Sequence, residues 1–231
     1  MTHQDNVLWL QCWRDQRTEF TLATTNPLLI RFWPGLGLAK GSRIFVPLCG
    51  KSLDLLWLAE QGHEVIGVEL SPVAVRAFFK DHKLTATRRK LGAFTLWEHG
   101  RIHILCGDYF ALSQALLGRI DMVYDHTALT ALPEHLRPRY VAQLSRIIPC
   151  AAPIFLLTTE DTDPLAHPSL ALAIDGEINA LYAAHFAITL AHVESVFETN
   201  PESPDSAPIC VQYKVYQLVA KPLLGDTLGV A

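Results

Sequence analysis

The stretch Arg43–Ser71, RIFVPLCGKSLDLLWLAEQGHEVIGVELS, decides the fold. It reads as a buried strand over Arg43–Leu48, a tight turn carrying Gly50, and a helix over Leu53–Gln61 stopped by Gly62. A second strand follows over Glu64–Leu70 and brings an acid, Glu69, to its end, about 20 residues beyond Gly50. This is the first half of a nucleotide-binding α/β sheet, in which a carboxylate at that strand end accepts hydrogen bonds from ribose hydroxyls. The implied ligand is an adenosine-containing cofactor.

Two rival readings of the same stretch fail on spacing. Gly50-Lys51-Ser52 has the tail of a phosphate-cradling P-loop, which also requires a glycine five positions before Gly50; Phe45 stands there, inside the strand. A dinucleotide fingerprint requires GxGxxG, which is absent, with Cys49 and Leu53 at positions that call for small residues.

Outward from this unit, strands and helices keep alternating. Upstream, a short helix over about Asn6–Arg17 sets Trp9 and Trp13 on one face, and a second covers Pro27–Trp33 before Pro34-Gly35 ends it. Downstream, Ser71 and Pro72 open a helix over Val73–His82. Phe94–Glu98 and Arg101–Leu105 flank His99-Gly100 as a hairpin, and Ile120–Tyr124 and Pro153–Thr158 are further core strands. Helices are expected from Pro133 to about Ile147 and over Asp175–Ala184, and antiparallel strands over Phe186–His192 and Ile209–Val219. Alternation of this kind makes a parallel sheet with helices on both faces, with the last two strands antiparallel at one edge. Ligands bind such sheets outside the carboxyl ends of the strands, a rule that gathers Leu48–Lys51, Glu69, Gly107–Tyr109 and Asp125-His126 on one rim.

Composition sets the class. The 231 residues suit one domain, and with half of them hydrophobic and 18% charged, a sizeable core is available. A net charge of −4 argues against a nucleic-acid binder, and the densest basic run, Arg88-Arg89-Lys90, reads as a solvated loop. The five scattered cysteines form no CxxC pair and read as free thiols of a reducing compartment, without metal-ligand spacing. The first residues, MTHQDNVLWLQCWRDQ, are polar and charged, unlike a signal peptide, and no apolar run reaches the ~18 residues of a membrane span. A cytoplasmic monomer with no membrane or nucleic-acid partner is the expectation.

Each candidate residue has an ordinary reading beside the functional one. Asp108 reaches an adenine edge or caps a helix over Phe110–Leu117, and Tyr109 packs on the adenine ring. Asp125 and His126 face the reacting end of the ligand, or are a capping pair after a strand. Asp161, Asp163 and His167 read as an acidic loop in preference to a metal site, and His63 and His103 as bystanders. Trp9, Trp13 and Phe20 form an aromatic arm that packs on the sheet or closes over a ligand.

The motifs FVPLCGKSLDLLWLAEQGHEVIGVELS at Phe45–Ser71 and DHTALTALPEHLRPRYV at Asp125–Val141, with WLQCW at Trp9–Trp13 and VYQL at Val215–Leu218, resemble the thiopurine S-methyltransferase family, particularly its bacterial form. The resemblance implies a class I methyltransferase fold: a doubly wound, mostly parallel seven-stranded α/β sheet with an antiparallel edge strand. It implies a helical arm or lid over residues 1–40 and a core over 41–221 of a single domain spanning 1–231. The implied cofactor is S-adenosylmethionine, and the implied acceptor a small aromatic or heterocyclic thiol. By position, cofactor contacts fall on Trp9, Trp13, Leu48, Gly50, Glu69, Asp108, Tyr109 and His126, and acceptor contacts on Phe20 and His126. His126, oriented by Asp125, is the candidate to assist deprotonation. Two departures stand out. The family carries an arginine where this chain has His126, which is shorter and cannot form a bidentate fork. The loop after the fifth core strand reads TTEDTDPLAHPSLALA and lacks the family's Gly-Pro-Pro-Phe element. Another small acceptor, such as a selenium or tellurium species or a natural thiol, and a cofactor-binding protein without turnover are the alternatives.

Overall fold

The computed structural model describes residues 3–18, 21–148, 152–161, 174–199 and 208–221. The chain opens with α1 (His3–Arg14) and α2 (Pro27–Phe32), and α2 runs into a 3-10 turn over Trp33–Leu36. Asn26 caps α2 by accepting the Leu28 N–H at 2.8 Å, with Pro27 at the first helical position, where no N–H is needed. There follow β1 (Arg43–Val46), α3 (Asp54–Glu60), β2 (Glu64–Glu69) and α4 (Pro72–Asp81), the alternation read from the sequence. Ser71 caps α4 as expected, its hydroxyl accepting from the N–H groups of Val73 and Ala74.

The basic run Arg88–Lys90 is a correction. It lies in β3 (Thr87–Leu91), paired antiparallel with β4 (Phe94–His99), which in turn pairs with β5 (Ile102–Cys106). The run stays exposed as expected, yet it has cross-strand partners that hold it extended: Arg88 lies 4.9 Å over the Trp97 ring and Arg89 pairs with Glu98 at 3.4 Å. The chain continues through α5 (Gln114–Leu117), β6 (Met122–His126), α6 (Ala128–Ala131), α7 (Arg137–Ile147), β7 (Ile154–Asp161), α8 (Ile174–Tyr182), β8 (Phe186–Glu198) and β9 (Ile209–Ala220).

The strands form one sheet in the order β3-β4-β5-β2-β1-β6-β7-β9-β8. β5, β2, β1, β6 and β7 are parallel; β9 and β8 close one edge antiparallel, as expected, and β3 and β4 the other. The sheet has nine strands where the resemblance implied seven; β4 and β5 are the hairpin read at Phe94–Glu98 and Arg101–Leu105, and β3 is the strand not foreseen. Side chains alternate between two apolar layers. Phe45, Ile66, Val68, Val123 and Leu156 lie in one; Ile44, Val46, Val65, Met122, Tyr124, Phe155 and Leu157 lie in the other. Among the described residues, no helix is long and apolar enough to cross a membrane.

The turn after β1 crosses closely over β2. The Cys49 N–H donates to the Val68 carbonyl at 3.0 Å, and a Cβ on Gly67 would lie 2.6 Å from Cys49 Sγ. Only glycine lets the turn sit there. Gly67→Ala should cost about 1–3 kcal/mol of stability through overpacking. Cys49→Ala in the same chain should recover most of that loss, because the remaining contact, Cys49 Cβ at 3.4 Å, is an ordinary one. A urea-melt double-mutant cycle measures the coupling, and additive losses would place the strain elsewhere.

Candidate functional site

The carboxyl ends of the parallel strands meet α1 around a cavity of about 130 Å³. Its walls bring together Trp9 and Trp13 from α1, Leu48 and Gly50 from the first turn, and Glu69 from the end of β2. Asp108 and Tyr109, following β5, and His126, ending β6, complete it. Leu48 and Gly50 take left-handed backbone angles, φ 47° and 54°. The Trp13 ring covers the turn so closely that a Cβ on Gly50 would meet it at 3.2 Å. A left-handed leucine is uncommon and is held only where its surroundings dictate it. Here the turn is fixed from below by β2 and from above by Trp13, which is 5% exposed.

Glu69 is buried and tied on both oxygens. Oε2 accepts from the Gly50 N–H at 3.0 Å and Oε1 from the Ser71 N–H at 2.6 Å. Burial pushes its pKa up to about 7, against the opposing pull of the backbone N–H groups of Ser71, Gly50 and Leu70. Asp108 caps the turn after β5 by accepting the Phe110 N–H at 2.9 Å, and it also accepts from the Asn6 amide at 3.4 Å. The Asn6 Oδ1 is buried without a partner among the described residues. Tyr109 forms part of the wall, but its ring is 1% exposed. It stacks on Tyr140 at 4.9 Å, and its hydroxyl donates to the Tyr140 carbonyl, so little of the ring is offered to a ligand.

The end of β6 corrects the expected His126–Asp125 pair. Consecutive strand residues point to opposite faces. Asp125 lies on the Val123 side, fully buried, where it accepts from the N–H groups of Ala128 and Leu129 and from the Tyr140 hydroxyl at 2.7 Å. Burial pushes its pKa up to about 6, and its role is to hold α6 and α7. His126 lies on the Tyr124 side and is oriented by Asp54, with Nδ1 3.2 Å from Asp54 Oδ2. Its Nε2 lies 3.0 Å from the Asn26 amide nitrogen. Asn26 Oδ1 already accepts from Leu28, which fixes the amide with its NH₂ toward the ring. The imidazole therefore accepts at Nε2 and donates from Nδ1 to Asp54: a neutral ring with both nitrogens engaged.

Asp54 was missed in the sequence, as was Asn26. Besides His126, Asp54 accepts from the Tyr124 hydroxyl at 2.7 Å and the Asn26 N–H at 2.8 Å while 1% exposed. Burial alone would raise its pKa; the interaction with the His126 ring, with the bonds from Asn26 and Tyr124, brings it below the usual carboxylate value. The available signal was an acid on the same helical face as the buried Leu55 and Leu58.

A second cleft of about 720 Å³ adjoins the first through the shared walls Trp9, His126, Thr127 and Ala131. Thr159, Tyr213 and Glu194 line it from three neighbouring strands. Phe20, Asp163 and His167 lie outside the described residues. Lys51 points away from the cavity to Asp81, 3.2 Å from its carboxylate. His63 accepts from the Trp33 indole, and His103 bonds Glu98 and Glu64. Among the described residues, no three His, Cys, Asp or Glu side chains gather as a metal site, and Cys12, Cys49 and Cys106 are free thiols.

The fold is shared with solved methyltransferases. One is the 1,6-didemethyltoxoflavin N1-methyltransferase of Burkholderia thailandensis, solved with S-adenosylhomocysteine: TM-score 0.56, 17% identity, 93% of this chain and 87% of that one. Another is an S-adenosylmethionine-dependent methyltransferase of Methanosarcina mazei: TM-score 0.56, 14% identity, 85% and 99% covered. The fold is that of the class I S-adenosylmethionine-dependent methyltransferases. Residues 4–221 match the family model described as thiopurine S-methyltransferase. The chain is 60% identical over 221 residues to the thiopurine S-methyltransferase of Stutzerimonas stutzeri, covering 96% of this chain and 93% of the relative. It is 39% identical over 215 residues to that of Bordetella petrii, covering 93% and 98%. The chain belongs to the thiopurine S-methyltransferase family.

Asp54→Asn should cost roughly 3 kcal/mol, because Tyr124, His126 and the Asn26 N–H then face a neutral amide in a buried site. With a lowered folded-state pKa, the ionised Asp54 stabilises the fold above its unfolded value of 3.8, and this is lost as pH falls through the folded value. Urea melts at pH 7 and pH 3 measure both: a large wild-type-to-variant gap at pH 7 that narrows at pH 3.

Proposed function

We propose that this chain transfers the methyl group of S-adenosylmethionine to the sulfur of a small aromatic or heterocyclic thiol. The observation that carries the reading is the pair of adjoining clefts: an acid- and indole-walled cavity at the strand ends that shares its His126 wall with a wider cleft. The first cavity suits the cofactor chemically. On this reading Glu69 takes the ribose hydroxyls and Asp108 the adenine amino group, both being walls of the cavity. Trp9 and Trp13 bring indoles to the same wall, the residue type that best attracts a cationic sulfonium. When bound, the cofactor supplies a methyl group on a positively charged sulfur, open to in-line attack by a soft nucleophile.

The residues supply position and dryness. The α1 arm packs on α4 and carries Trp9 across both clefts, excluding water from the line between nucleophile and methyl group. An aromatic thiol ionises readily in water and needs no dedicated base. His126 accordingly acts as a positioning wall: its Nε2 lone pair faces the Asn26 amide, and taking a proton there would set two donors against each other. The test is methyl transfer by the purified protein with 6-mercaptopurine, thiophenols, selenite and tellurite. Thiols should be methylated, and His126→Ala should keep the pH profile while lowering turnover less than about tenfold. Cofactor binding without transfer to any acceptor would make the protein a non-catalytic binder.

Glu69 sets the pH dependence of cofactor binding. Because burial raises its folded-state pKa from 4.5 to about 7, the apo fold loses stability as pH rises from 4.5 to 7, where ionising the buried acid is costly. A cationic ligand with hydroxyl donors prefers the ionised acid. S-adenosylmethionine should therefore bind more tightly as pH rises through 7, with a slope approaching tenfold per unit below it. Glu69→Gln should flatten this dependence and weaken binding about 10–100-fold at pH 8 by calorimetry. A wild-type affinity that is level between pH 6 and 8 would remove Glu69 from the ribose.

A further inference from the structure

The wider cleft has an electrostatic character that its family membership does not assign. Three of its residues stand in one row across the sheet: Thr159 of β7 is in register with Tyr213 of β9, and Tyr213 with Glu194 of β8. His126, on β6, closes the opposite end. β8 is three strands from β6 in the sheet order and Glu194 is two residues along from the position level with His126, so the two stand roughly 16 Å apart at about 4.8 Å per strand and 3.3 Å per residue. Glu194 thus faces the far end of a bound acceptor, away from its sulfur.

No positive charge balances it. Among the described walls of the cleft there is no Lys or Arg. The nearby Lys214 points to the other face of the sheet, where Glu160 and Asp175 take its ammonium at 2.6 and 3.0 Å. His126 is neutral, with both nitrogens engaged. His192, 3.7 Å from Glu194, is not a wall of the cleft and carries charge only when protonated. The segments outside the described residues cannot bring a permanent cation either: 1–2, 19–20, 149–151, 162–173, 200–207 and 222–231 contain neither Lys nor Arg. They do contain Glu19, Asp163, Glu202, Asp205 and Asp226.

We propose that the acceptor cleft selects by charge: it takes thiols whose distal substituent is neutral or cationic and rejects those bearing a distal carboxylate, with Glu194 as the specificity-determining residue. The selection is one of electrostatic complementarity and exclusion, as in binding sites that reject the wrong partner through an unpaired like charge. It rests on the methyl-transfer reading for the identity of the cleft, and the test separates the two.

The probes are thiophenols with a two-carbon para chain ending in a carboxylate, a hydroxyl or an amine; the spacer keeps the thiol acidity alike across the series. Dissociation constants are measured by calorimetry on the protein saturated with S-adenosylhomocysteine, at pH 8, where imidazoles are neutral, and at low salt to limit screening. The amine should bind about tenfold more tightly than the carboxylate, with the hydroxyl between them. Glu194→Gln should shrink that ratio to about twofold, and Glu194→Lys should reverse it. The Glu194 side chain is 53% exposed, which makes both variants surface changes. Equal affinities across the series, a ratio unmoved by either variant, or no binding of any probe would overturn the proposal. Turnover is read in parallel with S-adenosylmethionine. Charge-ordered binding without methylation sinks the transfer reading and leaves the selection standing; methylation without charge order does the reverse.

Discussion

Asp54 is the point at which three parts of the chain become one site. Its carboxylate takes the Asn26 N–H from the start of α2, the Tyr124 hydroxyl and the His126 ring from β6, while its own backbone belongs to α3. A buried carboxylate of this kind is tolerated only because every donor around it is aimed at it. The donors are fixed in turn. His126 has its tautomer assigned, Asn26 has its amide assigned through Leu28, and α2 has its starting point assigned through Asn26. The wall between the two clefts is thus set by one charge that never touches a ligand.

Glu69 performs the corresponding service for the first cavity. It joins the turn after β1 to the start of α4 by accepting one N–H from each. The turn is already pressed between β2, where Gly67 leaves room for Cys49, and the Trp13 ring of the arm. The left-handed Leu48 is stable in that vice. The cofactor cavity is consequently built on local chain geometry, and the wider cleft on contacts between distant parts of the chain.

That difference explains what could be read in advance. The strand–turn–helix–strand unit, the Ser71 cap and the rim position of Glu69 follow from neighbours in sequence, so periodicity and capping chemistry expose them. Asp54, Asn26 and His126 are brought together across 28 and 72 residues, and no local signal announces such a meeting. The pairing expected between Asp125 and His126 failed for a related reason. Adjacency in sequence along a strand means opposite faces in space, and Asp125 turned to Tyr140 while His126 turned to Asp54. β3 was hidden by its basic composition, which describes its solvent exposure correctly and says nothing of the Trp97 and Glu98 side chains opposite it.

The two buried carboxylates show why one responds to a ligand and the other does not. Both lose water, and burial pushes both pKa values upward. Asp54 gains bonds from a histidine ring and a phenol as well as an amide, and these overcome the burial; it stays ionised and rigid. Glu69 gains backbone N–H groups alone, and burial wins, holding it near neutrality. An acid poised there can bind a proton when the cavity holds no cation and release it when one arrives. Its carboxylate lines the cavity, where backbone N–H groups are its protein donors and no side chain pairs its charge. The acid at the end of β2 is left incomplete by its own fold, and a ligand with hydroxyl donors and a positive charge completes it.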